Sequence, residues 1–554
     1  MNQKEDFKNT SKVTAILIFI CYIEISSIQA KPTAPLILNG WVELALQKLE
    51  TDGVTGGIHS SSGPFTRFQV TQIIKKAQSR ITAGLVKPNP VDIQLLEKLT
   101  KEFSDELLEI RGEAVNQGLR FVATPQFRHF PKYQHKIGPA FQVALGYSSG
   151  KNFFLYEEFE VSEITDKYPK EGKTASKRLN PWRANYVADF TRVYLSFSIS
   201  KFDVKIGRDK IFWGPGYRGA LGISDNSPPF DLIQLQGEFG PVKGYSFTAV
   251  LDKMWADKHE YLANRYLSGH RLDWQVNDRL ELGLSEIILY GGDARDIEWQ
   301  YVNPILPYYA SQYNSKLDDS TLFDNNTMFV GDFAFKPVDG VRIYGEALID
   351  DFQYKNHDPN AIGLLGGFYL SNLKKYPNLG IRAEYARINR WAYTHLVTEN
   401  QYTHFGSIIG HWLGTDADDL YLELNHFLNV DTYIQLSYEF QRKGEATVED
   451  RYRGEDYKRI KFPSGIVESR HKLGIQVTYE PISGWQFDAS CGYSLMRNEN
   501  NIAGNNRHHG EFSIAVKYRL RFWQALQKSS HQKDLVKINK DRDLMMIYLG
   551  GVIR

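Results

Sequence analysis

The chain has 554 residues, enough for one large fold with an accessory domain. Its 66 Lys and Arg against 65 Asp and Glu leave a net charge of +1, which excludes the basic footprint of a nucleic-acid binder. Two cysteines exclude a disulfide scaffold and a four-cysteine zinc site, while 13% aromatic residues and 44 glycines fit a transmembrane β-barrel better than a helical bundle.

At the N-terminus, Lys4, Lys8 and Lys12 precede an apolar run from Val13 to Ile25, interrupted by Glu24. Ser26-Ser27-Ile28-Gln29-Ala30 follows. A basic start, a short apolar middle and a small final residue predict a secretory signal over residues 1–30, cleaved after Ala30. The alternative is an N-terminal membrane anchor. Ile20 stands before Cys21 where a lipoprotein needs a small residue. Cleavage would leave Cys491 without an intramolecular disulfide partner.

Residues 31–117 are expected to form a small helical domain in the periplasm. Trp41, Leu44, Ala45 and Leu49 recur at helical spacing, and Gly53 closes the segment. Thr66 with Gln69 forms a capping-box pattern that opens a second helix, with Val70, Ile73, Ile74 and Ala77 on one face. Asn89-Pro90 pairs a cap with a first-turn proline, ahead of the stripe Leu95, Leu96, Leu99, Phe103 and Leu107.

From residue 118 the hydrophobic period changes to two. Phe512, Ile514, Val516, Tyr518, Leu520 and Phe522 alternate with polar or small residues, as do Ile434 to Phe440, Leu473 to Tyr479 and Val193 to Ile199. A soluble sandwich would alternate in the same way. The signal segment and strand lengths of about ten residues favour a barrel with lipid outside and water inside, over residues 118–523. The alternation marks about 18 strands. Their connections alternate between tight turns, such as Ser200-Lys201, Gly240-Pro241 and Asn277-Asp278, and long loops at 166–182, 214–229, 253–266, 292–327, 389–419 and 443–467. Short periplasmic turns and long external loops are the outer-membrane pattern, and an even strand count puts both barrel ends in the periplasm. The alternation breaks at Arg208 and Glu286, by bulges or by an error in placing the strands. Residues 524–554, with a strand-like run from Leu544 to Ile553, are expected to be a periplasmic extension.

Several stretches resemble the Wzi capsule-assembly family. Gly207-Arg208-Asp209-Lys210-Ile211-Phe212-Trp213-Gly214-Pro215-Gly216-Tyr217 continues through Ser224-Asp225-Asn226-Ser227-Pro228-Pro229-Phe230-Asp231. His270-Arg271-Leu272-Asp273-Trp274, Leu280 to Ser285, Asn303-Pro304 and Asp324-Asn325-Asn326 follow in order. Upstream lie Gly40-Trp41 and Pro64-Phe65-Thr66-Arg67. These matches run from about residue 36 to 350; later strands match as generic barrel. The resemblance implies an 18-stranded outer-membrane barrel with a periplasmic helical bundle, acting as a lectin in attaching capsular polysaccharide. The long C-terminal tail departs from the family pattern.

A lectin needs flat aromatic faces for sugar C–H groups and polar side chains for hydroxyls, and Arg pairs with carboxylates of acidic polymers in two-point geometry. Loop 208–229 supplies Arg208, Trp213, Tyr217, Arg218, Asp225 and Asn226. Loop 292–327 supplies Trp299, Tyr301, Asn303, Tyr308, Tyr309, Tyr313, Asn325 and Asn326, and loop 389–419 adds Arg390, Trp391, Tyr393, His395 and Trp412. Arg208, Trp213, Tyr217, Arg218, Asn226, Asn303, Asn325 and Asn326 are the candidate polysaccharide contacts. All three loops are external in this topology, but aromatic girdles and a turn-forming Gly-Pro-Gly explain the same residues structurally, and such loops can also fold inward and plug the lumen. Asp416-Ala417-Asp418-Asp419 lacks the glycine and distal glutamate of an EF-hand loop, and His508-His509 is expected at a loop tip. No serine triad, phosphate loop or HExxH motif is present, so neither catalysis nor a cofactor is expected. Expected partners are surface polysaccharide, outer-membrane lipid and a periplasmic or export-machinery protein. The rival functions are a sugar-permeable porin and an outer-membrane enzyme acting on lipid or glycan.

Overall fold

The computed structural model describes residues 40–110, 117–130, 136–149, 152–163, 186–256, 261–315, 325–351, 359–373, 376–450, 452, 460–481 and 484–525. The signal segment, the external stretch 166–182 and the tail run Leu544–Ile553 lie outside the described residues. No described helix is long and apolar enough to cross a membrane as a helix.

Among the described residues, four helices precede the barrel: α1 (Trp41–Thr51), α2 (Arg67–Thr82), α3 (Pro90–Glu102) and α4 (Ser104–Ile110). Both predicted caps form. The Thr66 hydroxyl accepts from Gln69 N while Thr66 N donates to the Gln69 side chain, and Asn89 Oδ1 accepts from Val91 N and Asp92 N. The predicted stripes meet in one core of Ala45, Leu49, Val70, Ile74, Leu95, Leu99 and Phe103. That core continues into Phe427 and Tyr433 of the barrel wall, so the helices pack on the barrel end.

The barrel has 18 antiparallel strands. They are β1 (Gln117–Phe130), β2 (Lys136–Ser149), β3 (Phe153–Glu163), β4 (Tyr186–Ile199), β5 (Phe202–Asp209) and β6 (Phe230–Phe239). Next come β7 (Val242–Val250), β8 (Leu262–Asn277), β9 (Leu280–Gly292), β10 (Asn326–Phe335), β11 (Val341–Asp351) and β12 (Ala361–Leu370). The last are β13 (Leu379–Ile388), β14 (Ala417–Asn429), β15 (Thr432–Lys443), β16 (Glu468–Tyr479), β17 (Trp485–Arg497) and β18 (Arg507–Tyr518, continued by Leu520–Ala525). Both parts of β18 pair with β1, which closes the wall and removes every strand edge. The helices sit at the tight-turn end. Arg80 reaches Asp278 in the β8–β9 turn at 2.5 Å, and Lys98 reaches Asp431 and Glu480 at 3.1 and 3.4 Å. The helical domain and the tight turns therefore share the periplasmic side, as the parity of the connections predicts.

One face of the wall carries exposed Leu, Ile, Val and aromatic side chains, among them Leu272, Leu284, Leu422, Leu436 and Leu473. These form the lipid-facing band. The two predicted breaks, at Arg208 and Glu286, are not bulges: both strands keep register there. Both side chains point outward with the lipid-facing set, and each has a protein partner. The register shifts lie elsewhere, between Glu158 and Phe159, Gln275 and Asn277, Ile349 and Asp351, and Phe427 and Asn429.

Candidate functional site

The site is built from segments that enter the barrel from both ends. From the periplasmic side, residues 53–63 leave α1 and run into the lumen. A buried irregular segment must find partners for its backbone groups. Here the wall supplies them: Glu281 of β9 accepts from Ser60 N and Ser61 N at 3.0 and 3.2 Å, and Gln275 of β8 accepts from His59 N at 3.2 Å. Ser62 donates to Asp273 and accepts from Arg271 Nε. Ser62 and Gly63 then pair antiparallel with Trp213 and Phe212, and Gly214 N donates to Ser61 O at 2.8 Å. A periplasmic segment and an extracellular loop thus form a two-stranded ribbon inside the barrel.

That loop, residues 210–229, folds inward instead of projecting outward. Inward-facing carboxylates hold it. Glu346 of β11 accepts from Gly216 N and Leu221 N at 3.0 and 2.7 Å, and Glu384 of β13 accepts from Tyr217 N and Arg218 N at 2.6 and 2.9 Å. Trp213 packs edge-on against Phe247, and Gly269 beside it has no side chain to block the indole. Arg382 lies 3.4 Å from the Tyr217 ring, and Arg218 pairs with Glu439 at 2.7 Å while covering Tyr421. Charge-assisted bonds of this kind are about twice as strong as neutral ones.

Residues 389–416 lie against the first loop. Tyr393 and Tyr402 donate to the carbonyls of Leu221 and Gly222 at 2.6 and 3.0 Å. The fully buried Arg265 of β8 donates to the carbonyls of Glu399, Gln401 and Thr403 and pairs with Asp252. Trp391, Tyr393, Ile409 and Leu413 join Ile211, Trp213, Leu221 and Ile223 in an apolar core against the inner wall. Burial and nearby Arg218 keep His411 of this loop neutral, its pKa lowered to about 3. The inner faces of β16–β18 differ: Gln476 and Glu511 are exposed there.

The eight candidate contacts fall in five places. Trp213, Tyr217 and Arg218 lie inside the lumen and anchor the first loop. Asn326 is buried in the wall and donates to Asn400 O of the second loop at 3.1 Å. Asn226 is exposed at the mouth, its amide donating to Ile408 O at 2.8 Å. Arg208 points outward and grips Asp231 of β6 through two bonds of 2.7 and 2.8 Å. Asn303 belongs to residues 293–315, which lie on the outer flank of β7–β10, and Asn325 stands just before β10 beside them. Asn325 is buried, donating to Tyr301 OH and accepting from Arg295, whereas Asn303 is exposed. The topology places all three loops outside, with inward folding as the alternative; residues 210–229 and 389–416 take the inward course and fill the lumen, and residues 293–315 cover the outer wall. The residues that build the plug, Glu281, Glu346, Glu384, Arg265 and Arg382, stand at inward strand positions. Their charge on the polar face was the available signal.

Among the described residues, His59, Asp273 and Glu281 bring potential metal-ligand atoms within 4.8 Å of one another. Their charge is already met: Arg271 lies 2.7 Å from Asp273, the Ser60 and Ser61 amides serve Glu281, and burial with Lys243 and Lys76 lowers the His59 pKa to about 3. Asp416 accepts from Ser464 and Ala446, and Asp418 pairs with Arg442 at 2.5 Å, so this acidic run bonds to protein groups. His508 and His509 open β18 and do not form the expected loop tip. They face opposite sides, toward Tyr493 and Glu499, because the β18–β17 pairing already begins at Arg507.

Residues 124–510 match the protein family described as capsule assembly protein Wzi, which is more than half of the chain. The chain belongs to this family. The Wzi match extends the likeness read from residues 36–350 across the later strands. Among solved structures, Escherichia coli Wzi, an outer-membrane protein involved in group 1 capsule assembly and described as a carbohydrate-binding β-barrel, is 14% identical with a TM-score of 0.57, over 88% of this chain and 99% of that one. Pseudomonas aeruginosa OccD3 (OpdP) is 10% identical with a TM-score of 0.42, over 74% of this chain and 93% of that one. Pseudomonas aeruginosa OprD is 10% identical with a TM-score of 0.41, over 73% and 95%. No curated protein sequence matches the chain.

Proposed function

We propose that this chain is a non-enzymatic outer-membrane barrel that binds a capsular or other surface polysaccharide at its outer side and holds it to the cell. Membership of the Wzi family carries this reading. The inward-folded loops agree with it, since a lumen packed with Trp213, Leu221, Tyr393 and Tyr402 suits a fixed platform better than an open exporter. The eight candidate residues then take two roles. Arg208 and Asn226 reach the surface and would meet sugar directly, whereas Asn303, which accepts from Ile305 N at 3.0 Å, would shape its own segment. Trp213, Tyr217, Arg218, Asn325 and Asn326 would hold the loops in the binding shape. Residues 31–117 would serve as a periplasmic docking domain for an export-machinery protein, with residues 1–30 removed and 524–554 a periplasmic extension.

The test is deletion of the gene in its own host, with cell-bound and released polymer measured separately. Polymer moving from cell to medium at unchanged total synthesis supports attachment; an unchanged distribution overturns it. A second reading, passage of small sugars, is favoured by the exposed polar inner faces of β16–β18. Swelling of vesicles holding the purified protein, measured with sugars of graded size, separates it from the first.

A further inference from the structure

On the outer wall, side chains of one parity face lipid: Leu272, Trp274, Leu282, Leu284 and Phe333 are exposed toward the periplasmic end. Higher on the same faces the chemistry changes. Ser246 and Thr248 of β7, Ser268 and His270 of β8, Glu286 of β9 and Thr327 of β10 stand at adjacent outward positions in register. Glu286 lies four residues above Leu282. With a rise of about 3.3 Å per residue and a tilt near 40°, that is about 10 Å of height, inside an apolar band about 25 Å tall. A bare polar patch at that depth would face hydrocarbon.

Residues 295–315 cover it. Two short helices, α5 (Trp299–Val302) and α6 (Tyr308–Ser315), lie against the outward faces of β7–β10. Glu286 pairs with His270 at 2.9 Å and accepts from Tyr308 N and Tyr309 N at 3.0 and 2.7 Å. Thr248 donates to Tyr301 O, and Thr327 donates to Gln312 Oε1 at 2.6 Å. The Tyr308 ring stacks 4.3 Å from His270, and Tyr301 and Tyr308 are fully buried with Tyr290 and Ile288. The other side of the same segment is apolar and bare: Trp299 is 78% exposed, Ile305 86% and Tyr309 55%, with Leu306 between them. This surface continues the lipid-facing rows below it.

We propose that residues 295–315 form an amphipathic flap seated in the outer leaflet. Its inner side caps the polar patch on β7–β10, and Trp299, Ile305, Leu306 and Tyr309 meet lipid acyl chains. A segment at this depth is tolerated because its inner polar groups bond to the wall and its outer side chains match the solvent. The assignment does not depend on polysaccharide binding.

The experiment uses the protein without residues 1–30 and with Cys491 changed to serine, carrying one environment-sensitive fluorophore at Ile305→Cys or, as control, Asn226→Cys, in phosphatidylcholine vesicles. Acyl-chain nitroxide lipids should quench the label at 305 at least threefold more than at 226, and aqueous iodide should reverse the order. Equal iodide quenching at the two positions overturns the proposal. Protection of 305 from both quenchers also overturns it, pointing to a second copy of the chain over the flap.

Discussion

Glu384 concentrates the plug into one side chain. It receives Tyr217 N, Arg218 N and Tyr344 OH, the last of them buried. Glu384→Ala should cost on the order of 3 kcal/mol, because buried donors left unmade cost about 1–3 kcal/mol each. A lower Tm in detergent and new tryptic cleavage after Arg218 would be the readouts; an unchanged digest would mean the loop is held without Glu384. Asp92, at the start of α3, gives a pH prediction. Burial, then Asp52, raises its pKa to about 7, against the pull of Lys48. A raised carboxyl stabilises the fold when protonated, so its contribution is full below 3.8 and is lost as pH rises toward about 7. Asp92→Asn, which mimics the protonated form, should flatten the stability profile across that window, read from hydrogen exchange of α3 amides. Glu106 acts with the opposite sign and at the acid end. Burial would raise it, but Arg67 and Arg120 outweigh burial and hold it near about 2. Its contribution is present above the ordinary value of 4.5 and is lost as pH falls toward about 2.

At the scale of elements, the ribbon of Ser62–Gly63 with Phe212–Trp213 joins the two ends of the molecule. A Cβ placed on Gly63 would lie 4.0 Å from the Phe212 Cβ, within the separation a disulfide spans. The double variant Gly63→Cys and Phe212→Cys should therefore cross-link on mild oxidation, seen as a mobility shift that reductant removes. Failure to cross-link would deny that the periplasmic segment meets the external loop. The α2 cap can be tested alone. Thr66→Ala removes one partner of the capping box and should cost about 1 kcal/mol, visible as faster amide exchange in the first turn of α2 with the barrel unchanged.

Over the whole molecule, polar inner faces with no plug would leave a water-filled tube, as wide barrels do. Glu281, Glu346, Glu384 and Arg265 instead bond to chain segments that fill the lumen. The combined variant Glu346→Ala and Glu384→Ala should raise the swelling rate of protein-loaded vesicles in small sugars several-fold over the unmodified protein. Equal rates would mean that the plug is held mainly by the Trp213, Tyr393 and Tyr402 packing.

Strand existence, order and parity were legible from Val193, Ile434, Leu473 and Phe512 onward, because a period of two follows from backbone geometry alone and lipid enforces it on one face. The helix starts at Thr66 and Asn89 were legible for the same local reason: a cap bonds within three residues. The site was legible only as a set of loops rich in Arg and aromatic residues. Trp213 has the same composition whether it stacks on a sugar or on Phe247, and the difference is made by Gly269, dozens of residues away in the chain. Glu286 interrupts the lipid-facing row and reads as an error until α6 lies over it. Inward against outward, and buried against exposed, are set by non-local contacts among β7–β15. Sequence by itself therefore determined the barrel, its orientation and its helical cap. Tertiary structure decided that two loops turn inward and one lies outside, because only there do the unpaired backbone groups find Glu346, Glu384, Arg265 and Glu286.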